Sequence, residues 1–470
     1  MKKSYISGNF DICHLGHIRI MNYAKNISDE LTVGIYRDSE GSLSNSLEFR
    51  INAIKNLSIA DDIKVVDGNE LNLLMEIEPD FIIKGPEHRG KVGILQEQCQ
   101  VFGGQIIFTS ANNVENLSEL PIEKEIPIDF IKVPHTYINR HSIDKNSLLK
   151  IIDFFSSLNV CVIGDLIVDE YIDCYPIGMS QEDPTIVVSP QKKQLYLGGS
   201  GIVAAHINGL GANVDYFSIV GSDETGSNAV DFIERYGFQY NLYVDGTRKT
   251  TLKQRIRAKN KTLLRMNTFT DHDLEDSISD KIYFQIKKRI KEYDLIVLSD
   301  FNYGCLPTDF ANRITALAKE NNILVVADSQ ASSQVSDISR FKDTSFVFPT
   351  EHEARLAMSD TQSNLVVLAE NLCKKMGADQ LVITLGDSGV LIYNEISSVK
   401  TDRIEALSVK VVDPAGAGDA LMSVSALAMA SKATIWESLF LGSIMAAFQV
   451  SRVGNIPLRA RQIKDALEIL

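Results

Sequence analysis

Two short segments of this chain carry residue types whose order suits chemistry on phosphate. The first is Val411-Val412-Asp413-Pro414-Ala415-Gly416-Ala417-Gly418-Asp419-Ala420, which leads into the apolar stretch Leu421–Ala430. A strand ending in a glycine-rich turn and a helix start lets backbone N–H groups approach an anion closely, and the helix dipole favours negative charge there. The amides of Ala415, Gly416, Ala417 and Gly418 are therefore the expected anion hole. Asp419, in the first helical turn, is the expected base for a substrate hydroxyl. A glycine turn with a first-turn Asp is also an ordinary helix start, so this segment needs support from the rest of the chain. The second segment is Gly8-Asn9-Phe10-Asp11-Ile12-Cys13-His14-Leu15-Gly16-His17, again between a strand and a helix. Two histidines bracketing a glycine can both donate to one phosphate while Gly16 keeps the backbone near it.

The elements that must carry these segments alternate along the chain. Apolar runs at Tyr5–Ser7, Leu31–Ile35, Phe81–Ile83 and Gln105–Phe108 read as strands, with helical patterns at Ile18–Asn26 and Leu47–Leu57 between them. Residues 1–130 thus form one α/β domain of the mononucleotide-binding kind, and the polar, aperiodic residues 131–154 read as a linker. A second α/β unit, residues 155–470, opens with Val160–Asp165 and continues through strands at Leu295–Leu298, Ile323–Val326, Phe346–Phe348 and Leu381–Thr384. Thr185–Pro190 and Lys249–Asn267 break that rhythm and read as a small sheet projecting from the main one.

Bulk properties narrow the class. A chain of 470 residues with 44% hydrophobic and 23% charged residues is globular and too long for one core. Its net charge of −14 argues against a nucleic-acid backbone as partner. Six cysteines without C-x-x-C spacing, no apolar signal core after Met1-Lys2-Lys3 and no run long enough for a membrane span together lead us to expect a cytoplasmic enzyme.

Several further segments recur in the order seen in one family. Gly164-Asp165-Leu166-Ile167-Val168-Asp169, Gly198-Gly199-Ser200-Gly201, Leu298–Gly304, Thr384-Leu385-Gly386-Asp387-Ser388-Gly389 and the Gly416–Asp419 turn make residues 155–470 resemble the ribokinase-type carbohydrate kinases. The resemblance implies a ribokinase-like α/β fold with a β-sheet lid and Asp419 as catalytic base. It implies Asp165, Asp169, Gly198 and Gly199 on the sugar, and Asp328, Thr384, Gly386 and Gly389 on the nucleotide. ATP would be the co-substrate and Mg²⁺ the metal, with Glu353 as its ligand. Gly178–Val188 and Lys253-Gln254-Arg255 are similar to the heptose-phosphate-kinase half of bifunctional ADP-heptose synthases. That implies a substrate already phosphorylated, held by Lys253, Arg255 and Arg265; these charges read equally as a solvated strand face. The chain departs from that group at Ile202, at Thr350 and at Gln330.

Residues 1–130 resemble the cytidylyltransferase-like superfamily, which joins a nucleoside triphosphate to a phosphorylated small molecule with release of pyrophosphate. Catalysis then falls to His14 and His17, and ATP or CTP binding to Gly8, Phe10, Asp11, Gly16, Lys84, Thr109 and Ser110. The family's Lys-Gly pair after the second strand is absent, where Asp38–Leu43 stands instead, and Val114–Ser118 replaces its Ser/Thr-rich helix start. Lys2, Lys3, Arg50, Lys84 or Arg89 are the cations available to compensate. Two readings follow: a working transferase, or a retained fold serving as a nucleotide-binding or dimerisation module. The two-domain fusion is that of the ADP-heptose synthases in reversed order, and a homodimer is the expected assembly, with the projecting strands as lid or clasp.

Overall fold

The computed structural model describes residues 2–11, 15–37, 45–57, 59–67, 70–84, 103–108, 130–259, 261–330, 337–378 and 380–469. It divides into two compact units, Met1–Leu120 and Pro121–Leu470. In the first, strands β1 (Lys3–Gly8), β2 (Glu30–Tyr36), β3 (Asp62–Val66), β4 (Phe81–Lys84) and β5 (Gln105–Phe108) form one parallel sheet, ordered β3-β2-β1-β4-β5. The helix Leu15–Ile27 supplies Met21 and Ala24 to a core with Ile6, Leu31, Val33 and Ile35. β3 was not expected; Asp62-Ile63-Lys64-Val65-Val66 is short and half-polar because it is an edge strand, buried through on neither face.

Arg50 is the organising residue of this unit. Its guanidinium is 1% exposed and donates from Nη1 to the carbonyls of Asn9 (2.7 Å) and Tyr36 (2.9 Å), and from Nε to that of Asn45 (3.2 Å). It therefore ties the β1 end, the β2 end and the cap of helix Leu47–Asn56 together. Its Nε and Nη1 donors are committed to the backbone, which gives Arg50, one of the five cations available to compensate, a structural task.

The second unit is built on nine strands: β6 (Asn159–Gly164), β9 (Asn213–Val220), β10 (Gln239–Val244), β13 (Leu295–Asp300), β14 (Leu324–Ser329), β15 (Phe346–Val347), β16 (Gln380–Thr384), β17 (Val390–Asn394) and β18 (Thr401–Ile404). Their order is β10-β9-β6-β13-β14-β15-β16-β17-β18, parallel from β10 to β16 and antiparallel for β17 and β18. The near-continuous apolar runs of β6 and β13 follow from burial on both faces. One face packs on the helices Asp276–Arg289, Thr308–Glu320 and Leu365–Met376. Helices Ser200–Gly209, Ala417–Ala430 and Ile435–Val450 are apolar on nearly every side and are buried accordingly. Gly442 lets the last two cross closely, since a Cβ there would overlap Ser425 Oγ.

A four-stranded sheet, ordered β12-β11-β7-β8, projects from this core: β7 (Leu166–Met179), β8 (Ile186–Gly199), β11 (Thr251–Ala258) and β12 (Lys261–Thr268). It is larger than expected. Thr185–Pro190 is only the tip of a hairpin whose strands run 14 residues each, down to Leu166 opposite Gly199. Alternation in Leu166–Met179 is blurred because its base is buried on both sides and its tip is exposed.

Residues 131–154, expected as a linker, carry the helices His135–Arg140 and Lys145–Phe154, packed within the second unit. Tyr137 Oη donates to the Trp436 carbonyl (3.0 Å), and His141 stacks on the Trp436 ring at 4.2 Å. His141 Nε2 also lies 2.6 Å from Asp402 Oδ2. The polar residues that obscured the helical period are these docking groups.

Because Trp436 is the chain's one tryptophan, its fluorescence follows the second unit alone. Arg50→Ala removes the buried donor from three part-buried carbonyls and is expected to destabilise the first unit by about 2 kcal/mol. In urea, the far-ultraviolet circular-dichroism transition should move to lower denaturant while the Trp436 transition stays.

Candidate active site

The chain leaves β6 towards β9 and β10 on one side of the sheet, then returns to β13 and proceeds to β14, β15 and β16 on the other. Ligands of open α/β sheets bind beyond the carboxyl ends of strands at such a switch point. Asp165, Asp300, Ser329 and Thr384 lie at those ends. Asp165 Oδ2 accepts from the amides of Phe301 (2.8 Å) and Tyr303 (3.2 Å), and Oδ1 from that of Cys305 (3.0 Å). Burial and then the Asp300 charge push its carboxyl up to about 6, against those three amides. With both oxygens taken by backbone, Asp165 shapes the 301–305 loop. This corrects the expectation that it holds sugar hydroxyls.

Asp169, the second acid expected on the sugar, lies in β7. It is buried, pairs with Arg255 through Oδ1 and accepts from Asn455 Nδ2 at 3.1 Å through Oδ2. Gly198 lies opposite Ile167 on β8, and a Cβ there would overlap Asp169 Oδ2. Gly199 adopts φ +58°, and a Cβ would overlap the Asp165 carbonyl. The diglycine is thus required by the two carboxylate residues beside it.

The lid strand β11 pairs with β7 so that Lys253 is opposite Asp169 and Arg255 opposite Tyr171. The Arg255 guanidinium lies 5.0 Å from the Tyr171 ring centre, and Lys253 Nζ lies 5.2 Å and 5.3 Å from the rings of Phe301 and Tyr303. Across the hairpin, Arg265 of β12 stands opposite Arg255, on the same side of the sheet and exposed. The structure brings Lys253 and Arg255 to the Asp169 side and leaves Arg265 on the open lid.

Asp419 lies in the first turn of helix Ala417–Ala430, whose start is Gly416 in a left-handed conformation (φ +77°). Nothing lies within 4 Å of the position a Cβ would take on Gly418, so the turn is open on that side. Gln330 Nε2 donates to Asp419 Oδ1 (3.0 Å) and to Asp328 Oδ2 (3.3 Å). Burial and the charge of Asp169 raise the Asp419 carboxyl to about 7, partly offset by Lys253 and Gln330. A carboxylate whose pKa sits near neutrality is suited to general-base work.

On the expected nucleotide side, Asp328 is buried with Oδ1 unpartnered, and burial, Glu353 and Asp419 hold its carboxyl well above the usual range. Glu353 is the third residue of helix Glu351–Met358 and closes a capping box: Thr350 N donates to Glu353 Oε2 (2.7 Å), and Glu353 N to Thr350 Oγ1 (3.2 Å). Thr350 bridges to Thr384, which puts Thr384 beside this cap. Gly386 (φ +60°) has open space where a Cβ would lie, while Gly389 (φ +87°) is forced by the Ile404 carbonyl. Among the described residues, no three His, Cys, Asp or Glu side chains are grouped to hold a metal ion.

In the first unit, Phe10 is buried with φ +48°, and its ring meets His17 edge-on at 4.9 Å. A Cβ on Gly8 would stand 3.3 Å from that ring. Asp11 takes the amide of Asn45 on Oδ1 (2.8 Å) and the Asn45 side chain on its carbonyl (2.7 Å). Gly16 falls in the first turn of helix Leu15–Ile27. Lys84 is buried and donates to Ser7 Oγ (2.6 Å) and Glu70 Oε1 (3.2 Å). Burial pushes the Glu70 carboxyl up, but Lys84, Ser7 and Tyr36 outweigh it and leave it below its usual value. Lys84 is therefore charge-paired inside the fold, which corrects its expected role as a nucleotide ligand. His14, Thr109 and Ser110 lie outside the described residues, as do Asp38–Leu43, Arg89 and Val114–Ser118.

Comparison with known proteins agrees with this arrangement. The model of the pfkB family carbohydrate kinases matches residues 157–461. The chain belongs to that family. A cytidylyltransferase-like model matches residues 5–118 of the other unit. Among curated proteins, the chain is similar to the "Bifunctional protein HldE" of Aliarcobacter butzleri, 29% identical over 301 residues (63% of this chain, 62% of the relative). It is also similar to the protein of that name from Pelobacter propionicus, 28% identical over 331 residues (69% and 66%). The chain therefore spans just under two thirds of these relatives' length. Of solved structures, it resembles phosphofructokinase-2 of Escherichia coli in complex with potassium (TM-score 0.55, 14% identity, 66% of this chain and 98% of that one). It resembles Arabidopsis thaliana ribokinase complexed with ribose and ATP at a TM-score of 0.53 (16% identity, 66% and 98%). At these identities the likeness shows the fold alone, in which the pfkB unit places Asp419 at the head of its buried helix.

Asn455, Gln449, Tyr171 and Asp413 are additional parts of the site that the sequence did not single out. Tyr171 carries a signal, standing two residues beyond Asp169 on the same strand face. Asp413 begins the glycine turn itself. Asn455 and Gln449 carry none.

If Asp419 is the base, turnover requires its ionised form, so kcat should fall tenfold per pH unit below about 7. Asp419→Asn is expected to lower kcat by about 10²–10⁴-fold. Because the native carboxyl has a raised pKa, its ionised form costs stability at higher pH. The Asn variant should therefore melt no lower than the parent at pH 8, as read by calorimetry.

Proposed function

We propose that the pfkB unit transfers the γ-phosphate of ATP to the anomeric hydroxyl of a phosphorylated, heptose-like sugar, giving a sugar bisphosphate, and that the N-terminal unit joins a sugar 1-phosphate to a nucleoside triphosphate, giving a nucleoside-diphosphate sugar and pyrophosphate. The observation that carries the first part is the position of Asp419. It sits in the first turn behind an open glycine turn, with the sugar-side acid Asp169 and the lid cation Lys253 both near enough to move its pKa. In the transfer, Asp419 takes the hydroxyl proton as the sugar oxygen bonds to the γ-phosphorus. The bond from that phosphorus to the bridging oxygen breaks, and ADP leaves. The turn amides at 416–418 face the charge on the transferring group.

A phosphate on the sugar explains the lid. Arg255 is met by Asp169, whereas Arg265, directly opposite it on the same side of the sheet, is exposed and adds a second positive charge that an anion bound beside the lid would offset. Mg²⁺ is commonly held by one or two carboxylates together with substrate phosphates, and Glu353 with the buried Asp328, whose Oδ1 has no hydrogen-bond partner, fits that pattern. Bound there, the ion would neutralise charge on the nucleotide.

In the second reaction, an oxygen of the sugar 1-phosphate attacks the α-phosphorus of ATP or CTP and pyrophosphate departs. His17 beside Phe10, with His14, would donate to the charge that develops. The word "bifunctional" in the relatives' names supports this assignment. Against it stands a second reading, a non-catalytic nucleotide-binding or dimerisation module, which Lys84 favours because its charge is spent on Glu70.

A coupled assay separates the two. With a panel of phosphorylated sugars, ATP and each triphosphate, pyrophosphate should be released, and His14→Ala with His17→Ala should abolish it while ADP formation continues. Release unchanged by that double substitution would reject the roles of both histidines. Titration calorimetry with ATP and CTP that shows binding without pyrophosphate release would favour the second reading.

The projecting sheet carries exposed Tyr175, Ile177, Met179 and Ile186 near its tip, an apolar surface suited to a second copy of the chain. Ile177→Glu with Met179→Glu is expected to convert a homodimer to a monomer in sedimentation velocity; a dimer unchanged by both would reject the sheet as clasp.

A further inference from the structure

Seven groups around the Gly416 turn close into a ring. Gln449 is fully buried, and its Nε2 donates to the carbonyls of Ala415 (3.1 Å) and Gly454 (3.0 Å) and reaches Asn455 Oδ1 at 3.4 Å. Asn455 Nδ2 donates to Asp169 Oδ2 at 3.1 Å. Asp169 pairs with Arg255 on the lid, and Arg255 lies on the Tyr171 ring. Tyr171 Oη donates to Asp413 Oδ2 (2.7 Å), and Asp413 Oδ1 accepts from Ala415 N (3.1 Å), which returns to the starting residue. The turn also fits the ring sterically, since a Cβ on Gly416 would overlap Asn455 Oδ1.

We propose that Asn455 is a positioning residue that couples the sugar-side carboxylate Asp169 to the conformation of the anion turn. Resting on the kinase reading above, the proposal assigns to Asn455 a role that neither the turn motif nor the lid pattern contains. A side-chain amide is the group that can do this at one site. Its Nδ2 needs the Asp169 carboxylate, and its Oδ1 faces the Gln449 amide and the backbone of Gly416. A shift of Asp169 towards a bound sugar therefore pulls on the underside of the turn that must receive the phosphoryl group. Buried networks of this kind have stakes beyond their single bonds, because each unsatisfied member costs the desolvation of a polar group.

The consequence is a split between binding and turnover. The side chain touches no atom of the ATP site formed around Thr384 and Gly386, so the KM for ATP should stay within about threefold in Asn455→Ala and Asn455→Asp. Misplacing a turn that holds the transition state should lower kcat by about ten- to a hundredfold. Asn455→Asp keeps the shape but presents an acceptor to Asp169, so it should be at least as impaired as Asn455→Ala. A packing role predicts the reverse, with the isosteric variant close to the parent. Tyr171→Phe opens the ring on its other side without touching Asn455 and should show a smaller kcat loss of the same kind, which keeps the test available if the Asn455 variants fold poorly.

Hydrogen exchange of the full-length protein gives a readout independent of turnover. Amides at 415–419 should exchange about tenfold faster or more in each variant, with those of β9 and β10 unchanged. Unchanged exchange at the turn would overturn the coupling, as would an Asn455→Asp enzyme with parental kcat. A parent protein that phosphorylates no sugar in the panel, yet shows the exchange effect, would instead reject the kinase substrate and leave the coupling standing.

Discussion

The carboxylates of Asp165, Asp169, Asp300, Asp328 and Asp419 are all buried, and three of them, Asp165, Asp300 and Asp328, lie at or just beyond the ends of the adjacent strands β6, β13 and β14. Like charges at such depth are tolerated only when donors are built around each or when protons are retained. The pfkB unit solves each case differently. Asp165 is met by three backbone amides, Asp169 by Arg255 and Asn455, and Asp300 by Arg340 (2.7 Å) and Ser329 Oγ (2.6 Å). Among the described residues, Asp419 is met by the neutral amide of Gln330 and, at longer range, by the charge of Lys253, and Asp328 keeps one oxygen without a partner. The two least compensated groups are those on which phosphate chemistry would draw. The rest of the architecture follows from this crowding: the lid must bring cations, and the glycines must make room for the carboxylates.

Much of this was legible in the sequence where one residue type can satisfy a position. Gly416 and the diglycine are demanded by backbone geometry and neighbouring carboxylates, so their order along the chain marked the unit. The strands of the parallel sheet announced themselves through apolar runs, because burial on both faces removes polar residues. What failed was the assignment of partners. Asp165 and Asp169 look alike four residues apart, yet only folding shows that one is saturated by the 301–305 amides. Lys84 looked like a phosphate ligand because Glu70, its partner, is distant in the chain and sits at an unexpected helix start. Gln449 lies in the last turn of a buried helix and Asn455 just beyond it; neither belongs to a motif, since any amide of suitable reach would serve.

The two units treat charge in opposite ways. Around Asp419, cations sit on a projecting lid and approach the site from one side. In the N-terminal unit, the cations nearest the strand ends are folded inward: Arg50 onto three carbonyls and Lys84 onto Glu70. Among the described residues, the helix start and His17, whose ring meets Phe10 edge-on, are what that unit turns towards an anion.

The close crossing of helices Ala417–Ala430 and Ile435–Val450 at Gly442 fixes the depth at which Asp419 stands. Because Ser425 Oγ and the Leu421 carbonyl fill the space beside Gly442, a larger residue at this contact would force apart the helix that carries Asp419 and its neighbour. The floor of the site is consequently resistant to gradual change, whereas the exposed β11–β12 hairpin joins it along one edge only. Diversification of substrate in this architecture is thereby channelled into the hairpin, which can be rewritten while the floor is inherited intact.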